Sequence, residues 1–191
     1  MTLRAHIYIV NTKHLLGALA LVALFGHGCS SATGPKPVTS KEPEKGLEFV
    51  KLDVARRGRP DTWRWLKKGQ NGQPSEIVRE EVDLNGDGKV DFQKKFAQGK
   101  PLLFTLDLDF DGRNDLIEHY IDGALVRIES SHNFSGKMDT WRFFEKGALA
   151  RVERDTNGDG KPDEWMYYAQ DKLQRTARDL NYDGVVDTWE E

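Results

Sequence analysis

From residue 50 onward the chain alternates apolar and polar side chains in short runs, and clusters of Gly, Asp and Asn interrupt the runs about every dozen residues. Thr140-Trp141-Arg142-Phe143-Phe144 is followed by Glu145-Lys146-Gly147-Ala148 and then by Leu149-Ala150-Arg151-Val152. Period-two alternation bounded by turn residues reads as strands, not helices. The Lys146-Gly147 pair suits a two-residue hairpin turn. Counting outward from such turns sets Tyr120 opposite Leu125, Phe144 opposite Leu149 and Tyr168 opposite Leu173. Further out it sets Ile117 opposite Ile128, Trp141 opposite Val152 and Trp165 opposite Thr176. Trp141, Phe143, Ala150 and Val152 then share an apolar face, and Arg142, Arg151 and Glu153 a wet one.

The pattern repeats. Asp83, Asp107, Ser131, Asp155 and Asp179 are each 24 residues from the next, and they open the segments DLNGDGKVD, DLDFDGRND, SHNFSGKMD, DTNGDGKPD and DLNYDGVVD. A degenerate copy, DVARRGRPD, opens at Asp53, with an insertion expected around Gln70 to Ser75. The eleventh position holds Trp63, Ile117, Trp141, Trp165 and Trp189, with Gln93 as the exception, and the seventeenth holds Gly69, Gly99, Gly123, Gly147 and Asp171. A fixed period of this length marks a repeat architecture. The predicted fold is all-β, an antiparallel meander of 24-residue β-hairpin repeats with about ten to twelve strands, its apolar face curling to close on itself. A propeller fits less well, because a blade needs four strands and this repeat supplies two.

The nine-residue segments carry the candidate chemistry. Four copies place oxygen side chains at positions one, three, five and nine, with Gly at six for a sharp turn: Asp83, Asn85, Asp87 and Asp91; Asp107, Asp109, Asp111 and Asp115; Asp155, Asn157, Asp159 and Asp163; Asp179, Asn181, Asp183 and Asp187. Calcium takes six to eight oxygens, and a loop of this spacing adds a backbone carbonyl at position seven, here Lys89, Arg113, Lys161 and Val185. Asn-Gly and Asp-Gly are also ordinary turn residues, but a bare turn does not need several carboxylates crowded together, which repel without a cation. The degenerate copies lose acids together: Ser131, Asn133 and Ser135 stand in one, and Arg57 stands between Asp53 and Asp61 in the other, where a guanidinium can act as the cation. About four calcium ions are expected.

These loops resemble the calcium-binding β-hairpin loops of integrin α-subunit propellers and, more distantly, thrombospondin type 3 and dockerin loops. The resemblance covers nine residues per repeat and implies that the position-nine Asp closes the site. It is not an EF-hand pattern, since position twelve is Arg64, Lys94, Arg142 or Met166 in most copies.

The N-terminal segment differs in kind. Leu15 to Phe25 is an apolar run preceded by Arg4 and Lys13, and no acid occurs before Glu42. That is a signal-peptide pattern, too short for a comfortable membrane span. The single cysteine, Cys29, follows in Gly26-His27-Gly28-Cys29-Ser30. This resembles the lipobox of bacterial lipoproteins, although Gly26 and His27 depart from it. The resemblance implies a signal peptide over 1–28, lipid on Cys29 and, with Ser30 next, the outer membrane of a cell envelope. Residues 29–46, rich in Ser, Pro, Lys and Glu, read as lipid-attachment site and flexible tether.

Composition narrows the rest. A net charge of −3 gives no reason to expect nucleic acid. One cysteine excludes an internal disulfide, and the body keeps only His119 and His132, so no nucleophile–base set is apparent and no enzyme is expected. The leading expectation is a calcium-stabilised, membrane-anchored structural or interaction protein of the bacterial cell envelope, with envelope proteins as partners. The alternative is a calcium-dependent carbohydrate- or peptidoglycan-binding module, in which the row Trp63, Trp141, Trp165 and Trp189 stacks on sugar rings; the same row is also compatible with sheet core.

Overall fold

The structure, a computed structural model, describes residues 42–191. Cys29, the signal segment and most of the tether lie outside the described residues. Twelve strands form one antiparallel sheet in chain order: β1 (Glu48–Leu52), β2 (Thr62–Lys67), β3 (Glu76–Val82), β4 (Phe92–Ala97), β5 (Lys100–Leu106), β6 (Leu116–Ile121), β7 (Ala124–Ser130), β8 (Thr140–Glu145), β9 (Ala148–Arg154), β10 (Glu164–Ala169), β11 (Lys172–Arg178) and β12 (Thr188–Glu190). The all-β meander of hairpins expected from the repeat is therefore the observed fold.

The turns follow from backbone chemistry. Lys146 and Gly147 both have positive φ (52° and 83°), as do Asp122 and Gly123 (52° and 84°). Two left-handed residues in succession make the turn whose twist matches that of the flanking strands. Tyr120 pairs with Leu125, Phe144 with Leu149 and Tyr168 with Leu173, as counted. The first hairpin carries its insertion between β2 and β3. There Gly69 has room for no side chain, because an added Cβ would lie 1.9 Å from the Gln73 carbonyl oxygen.

Beyond the second pair from each turn the register departs from simple counting. Trp141 stands opposite Glu153, Ile117 opposite Glu129 and Trp165 opposite Ala177, not opposite Val152, Ile128 and Thr176. A one-residue bulge is the cause. In β9, Ala150 has no partner between Leu149 and Arg151, and Val126 and Gln174 occupy the same place in their hairpins. An extra residue moves everything past it to the other face. The faces consequently differ from the expectation: Trp141 and Phe143 share theirs with Arg151 and Glu153, while Val152 lies with Arg142. Trp63, Glu81, Gln93, Thr105, Ile117, Glu129, Trp141, Glu153, Trp165, Ala177 and Trp189 form one unbroken row of cross-strand partners across eleven strands.

Two arginine–glutamate pairs lie along strands on that face. Arg127 pairs with Glu129 at 2.7 Å and Arg151 with Glu153 at 3.0 Å. Three arginines in the next row also lie over aromatic rings: Arg79 over Trp65 at 3.6 Å, Arg151 over Phe143 at 4.5 Å and Arg175 over Tyr167 at 4.7 Å. A guanidinium over a ring face is attracted by the ring's quadrupole, so arginine serves here as partial cover for aromatic rings.

The meander does not close. β1 and β12 each pair on one side only. Closure is not needed to cover the apolar residues near β1. Val90, at position eight of the loop before β4, packs with Trp63 and Trp65, and Leu47, Phe49 and Val78 complete the cluster. Residues 42–46 of the stretch read as tether are also tied down, since the Trp65 indole donates to the Glu42 carbonyl at 3.0 Å and Arg79 pairs with Glu44.

Candidate metal centre

All six nine-residue loops lie at one end of the strands, because each joins an even-numbered strand to the odd-numbered strand before it. Backbone hydrogen bonds fix them side by side. The position-nine amide of each loop returns to the end of the preceding strand, as Asp115 N–H does to Leu106 C=O at 2.8 Å. The position-one amide then donates to the position-nine carbonyl of the previous loop: Asp83 to Asp61, Asp107 to Asp91, Ser131 to Asp115, Asp155 to Asp139 and Asp179 to Asp163, all at 2.7–2.9 Å.

Inside each loop the side-chain oxygens take fixed stations. Asp91 Oδ2 accepts the amides of Leu84 and Asn85, and Asp115, Asp163 and Asp187 do the same at positions two and three of their loops. The position-one carboxylate accepts the amide of the glycine at position six: Gly88 to Asp83, Gly112 to Asp107, Gly160 to Asp155 and Gly184 to Asp179. Asn85, Asp109, Asn157 and Asn181 accept from position five, and Asp87, Asp111, Asp159 and Asp183 accept from Lys89, Arg113, Lys161 and Val185. Successive side chains that cap amides two residues on wind the loop tightly. Position four also requires the left-handed region. Gly86 and Gly158 supply it without strain, whereas Phe110, Phe134 and Tyr182 adopt φ of 65°, 53° and 62°. Each such non-glycine residue costs about 1–2 kcal/mol.

The loop 107–115 stands out. One oxygen each from Asp107, Asp109 and Asp115 lies within 4.8 Å of the others, the one such acidic group among the described residues. Asp107 is 1% exposed, and its Oδ1 is buried without a hydrogen-bond partner. Burial pushes the carboxyls of Asp107 and Asp115 above the usual range, and the charges of Asp109 and Asp111 push the same way, against the amides that pull them down. Asp111 turns toward Arg113, whose Nε lies 3.3 Å away. The other intact loops have asparagine at position three and so carry one carboxylate fewer. In one of them Asp91 is raised by burial, while Asp87 is lowered, first by the Lys89 amide.

The degenerate loops use different chemistry. Arg57 does not bridge Asp53 and Asp61. Asp53 instead caps the amides of Arg57 and Gly58, and the Arg57 guanidinium reaches the next loop, donating to the carbonyls of Leu84 at 2.7 Å and Asp83 at 3.4 Å. In the loop 131–139, His132 Nδ1 lies 3.0 Å from Asp139 Oδ1, and Arg113 from the neighbouring loop donates to the Ser135 carbonyl at 2.8 Å. Arginines thus strap each degenerate loop to an acidic neighbour.

The tryptophan row is one register line, but its members are unequal. Trp63 is 6% exposed, Trp141 and Trp165 are half-buried, and Trp189 is 53% exposed. Sequence reasoning missed position eight, whose Val90 and Met138 are buried. Its apolar character in Val90, Met138 and Val186 was the available signal.

No protein-family model and no curated protein matches the chain. Among solved structures, it is similar to accessory secretory protein 1, 2 and 3 of Streptococcus pneumoniae (18% identity, TM-score 0.38, covering 60% of this chain and 20% of that one). It is also similar to the glycosylation-associated protein complex Gap123 of Streptococcus agalactiae (15% identity, TM-score 0.40, covering 67% and 22%). The chain spans about a fifth of the length of those chains.

Proposed function

We propose that this chain is a calcium-stabilised interaction protein of the bacterial cell envelope, lipid-anchored through Cys29. The observation that carries the cation reading is the buried, unpartnered Oδ1 of Asp107 beside Asp109 and Asp115. A buried carboxylate oxygen with no donor is costly, and a hard cation supplies the missing partner. Asp107, Asp109, Asp111 and Asp115 would hold the ion with the Arg113 carbonyl, and the asparagine-containing loops would hold ions with one less charge. A bound divalent ion neutralises the crowded carboxylates and cross-links positions one through nine. Because adjacent loops are hydrogen-bonded, that order passes along the whole row.

The anchor rests on the sequence: an apolar run, a basic flank and one cysteine placed four residues after the run. The interaction role rests on an open sheet with two broad faces and no nucleophile–base set among the described residues. Calorimetric titration of the full chain tests the cation reading. About four calcium ions should bind, and at free calcium ten times the dissociation constant each should add about 1.4 kcal/mol of stability. A melting temperature identical in calcium and in chelator would reduce the loops to turns. Mass spectrometry of the mature N-terminus tests the anchor, and an unlipidated Cys29 would remove it.

A further inference from the structure

Three hairpins keep an arginine and a glutamate two residues apart on one strand: Arg79 and Glu81, Arg127 and Glu129, Arg151 and Glu153. A fourth loses both together, with Leu103 and Thr105 in their places. At these two positions charge is therefore balanced in each of these four hairpins. The last hairpin breaks the pattern, keeping Arg175 but carrying Ala177 where the glutamate belongs.

Arg175 is exposed and makes no ion pair among the described residues. Glu190 is engaged on the opposite face, at 2.7 Å from Arg178, and Glu191 makes no ion pair among the described residues. What holds Arg175 is a pair of rings. Its guanidinium lies 4.7 Å from the centroids of both Tyr167 and Trp189, and these rings stack at 6.0 Å with a 25° interplanar angle. Trp189 is also the most exposed tryptophan of its row. The result is a partly exposed aromatic pair with one unneutralised guanidinium held over its rings.

The geometry points to a binding site at Tyr167, Arg175 and Trp189 for a linear polysaccharide that carries carboxylates, a uronate-bearing glycan. The indole surface of Trp189 that the guanidinium leaves exposed suits the apolar face of a pyranose ring, and the guanidinium fork suits a carboxylate. Trp189, Trp165 and Trp141 recur on alternate strands, about 9.5 Å apart by strand spacing, close to the length of a disaccharide unit. The row runs across the strands, so it favours a long sugar chain over an extended peptide, which adds to a sheet edge. This site is separate from the cation loops and does not depend on them.

Tryptophan fluorescence of the full chain, calcium-loaded and freed of excess ion, provides the test. Hexagalacturonate should quench it saturably, and cellohexaose and hexaglutamate should bind far more weakly. Ala177→Glu restores the internal partner found in the other hairpins, and it should weaken hexagalacturonate by about tenfold or more, as should Trp189→Ala. Arg151→Gln, at a neutralised arginine, should change binding by less than about twofold. The proposal is overturned if cellohexaose binds as well as hexagalacturonate, or if hexaglutamate does. It is equally overturned if Ala177→Glu melts like the wild type and binds hexagalacturonate unchanged.

Discussion

The guanidinium of Arg79 lies 3.6 Å above the ring of Trp65, and no solvent reaches the indole, which is 0% exposed. Phe49 packs on the same ring at 4.8 Å, and the indole N–H is satisfied by the Glu42 carbonyl. A ring enclosed this way leaves a cavity when truncated. Trp65→Ala should cost about 3–5 kcal/mol, whereas Trp189→Ala, at an open position, should cost under about 1 kcal/mol. Chemical denaturation of both variants checks the contrast, and equal losses would contradict this packing.

A second prediction concerns the acid that distinguishes the loop 107–115. Asp109 replaces the asparagine of the other intact loops and adds like charge against Asp107 and Asp115. Asp109→Asn should therefore stabilise the chelated protein by under about 1 kcal/mol. It should also weaken calcium binding by roughly tenfold, since affinity follows ligand charge. Melting in chelator together with calcium titration measures both effects. A variant less stable in chelator and tighter for calcium would reverse the assignment.

The pH dependence of the chelated protein follows from the same residues. Asp91, Asp107 and Asp115 titrate above the unperturbed value, so the folded chain takes up their protons before the unfolded chain does. Their ionisation costs stability at neutral pH. That loss is recovered as pH falls through their raised values, and recovery is complete below about 3.9, the unfolded value. Asp61 and Asp87 are lowered and act oppositely: their contribution is present above the unfolded value and is lost as pH falls through their folded values. The stabilisation by Asp109→Asn should accordingly shrink as pH drops from about 7 to about 4. A difference that stays constant across that range would show that the charges do not interact.

Turns give the fourth prediction. Lys146 holds φ of 52° in a turn that favours asparagine there. Lys146→Asn should raise stability by a few tenths of a kcal/mol, and Gly147→Val should lower it by about 1–2 kcal/mol. Thermal melts of the two variants should move in opposite directions.

The turns, strands and inner cross-strand pairs were legible because glycine and alternation are local signals. Tyr120 opposite Leu125 needs only the turn at Asp122-Gly123. Trp141 opposite Glu153 was not legible, because it depends on a bulge whose residues, among them Val126, Ala150 and Gln174, share no backbone-special side chain. The same slip hid the placement of Glu81, which alternation assigns to a wet face and which is 0% exposed. The ligand spacing of the loops was plain in sequence. The orphaned oxygen of Asp107 was not, since the same spacing in the loops 83–91 and 155–163 gives the equivalent oxygen an amide partner from Gly86 and Gly158.

The hydrogen bonds that join each loop only to its neighbour have a consequence for chain length. Excising 131–154 would join Ser130 directly to Asp155, and the incoming loop would meet Asp115 where Ser131 had met it. Every strand would keep a partner of the same kind. Stability in such an array is a sum over adjacent units, so the sheet is modular: a whole period can be removed or added as one block, while a shift of a single residue is fatal to everything on one side of it.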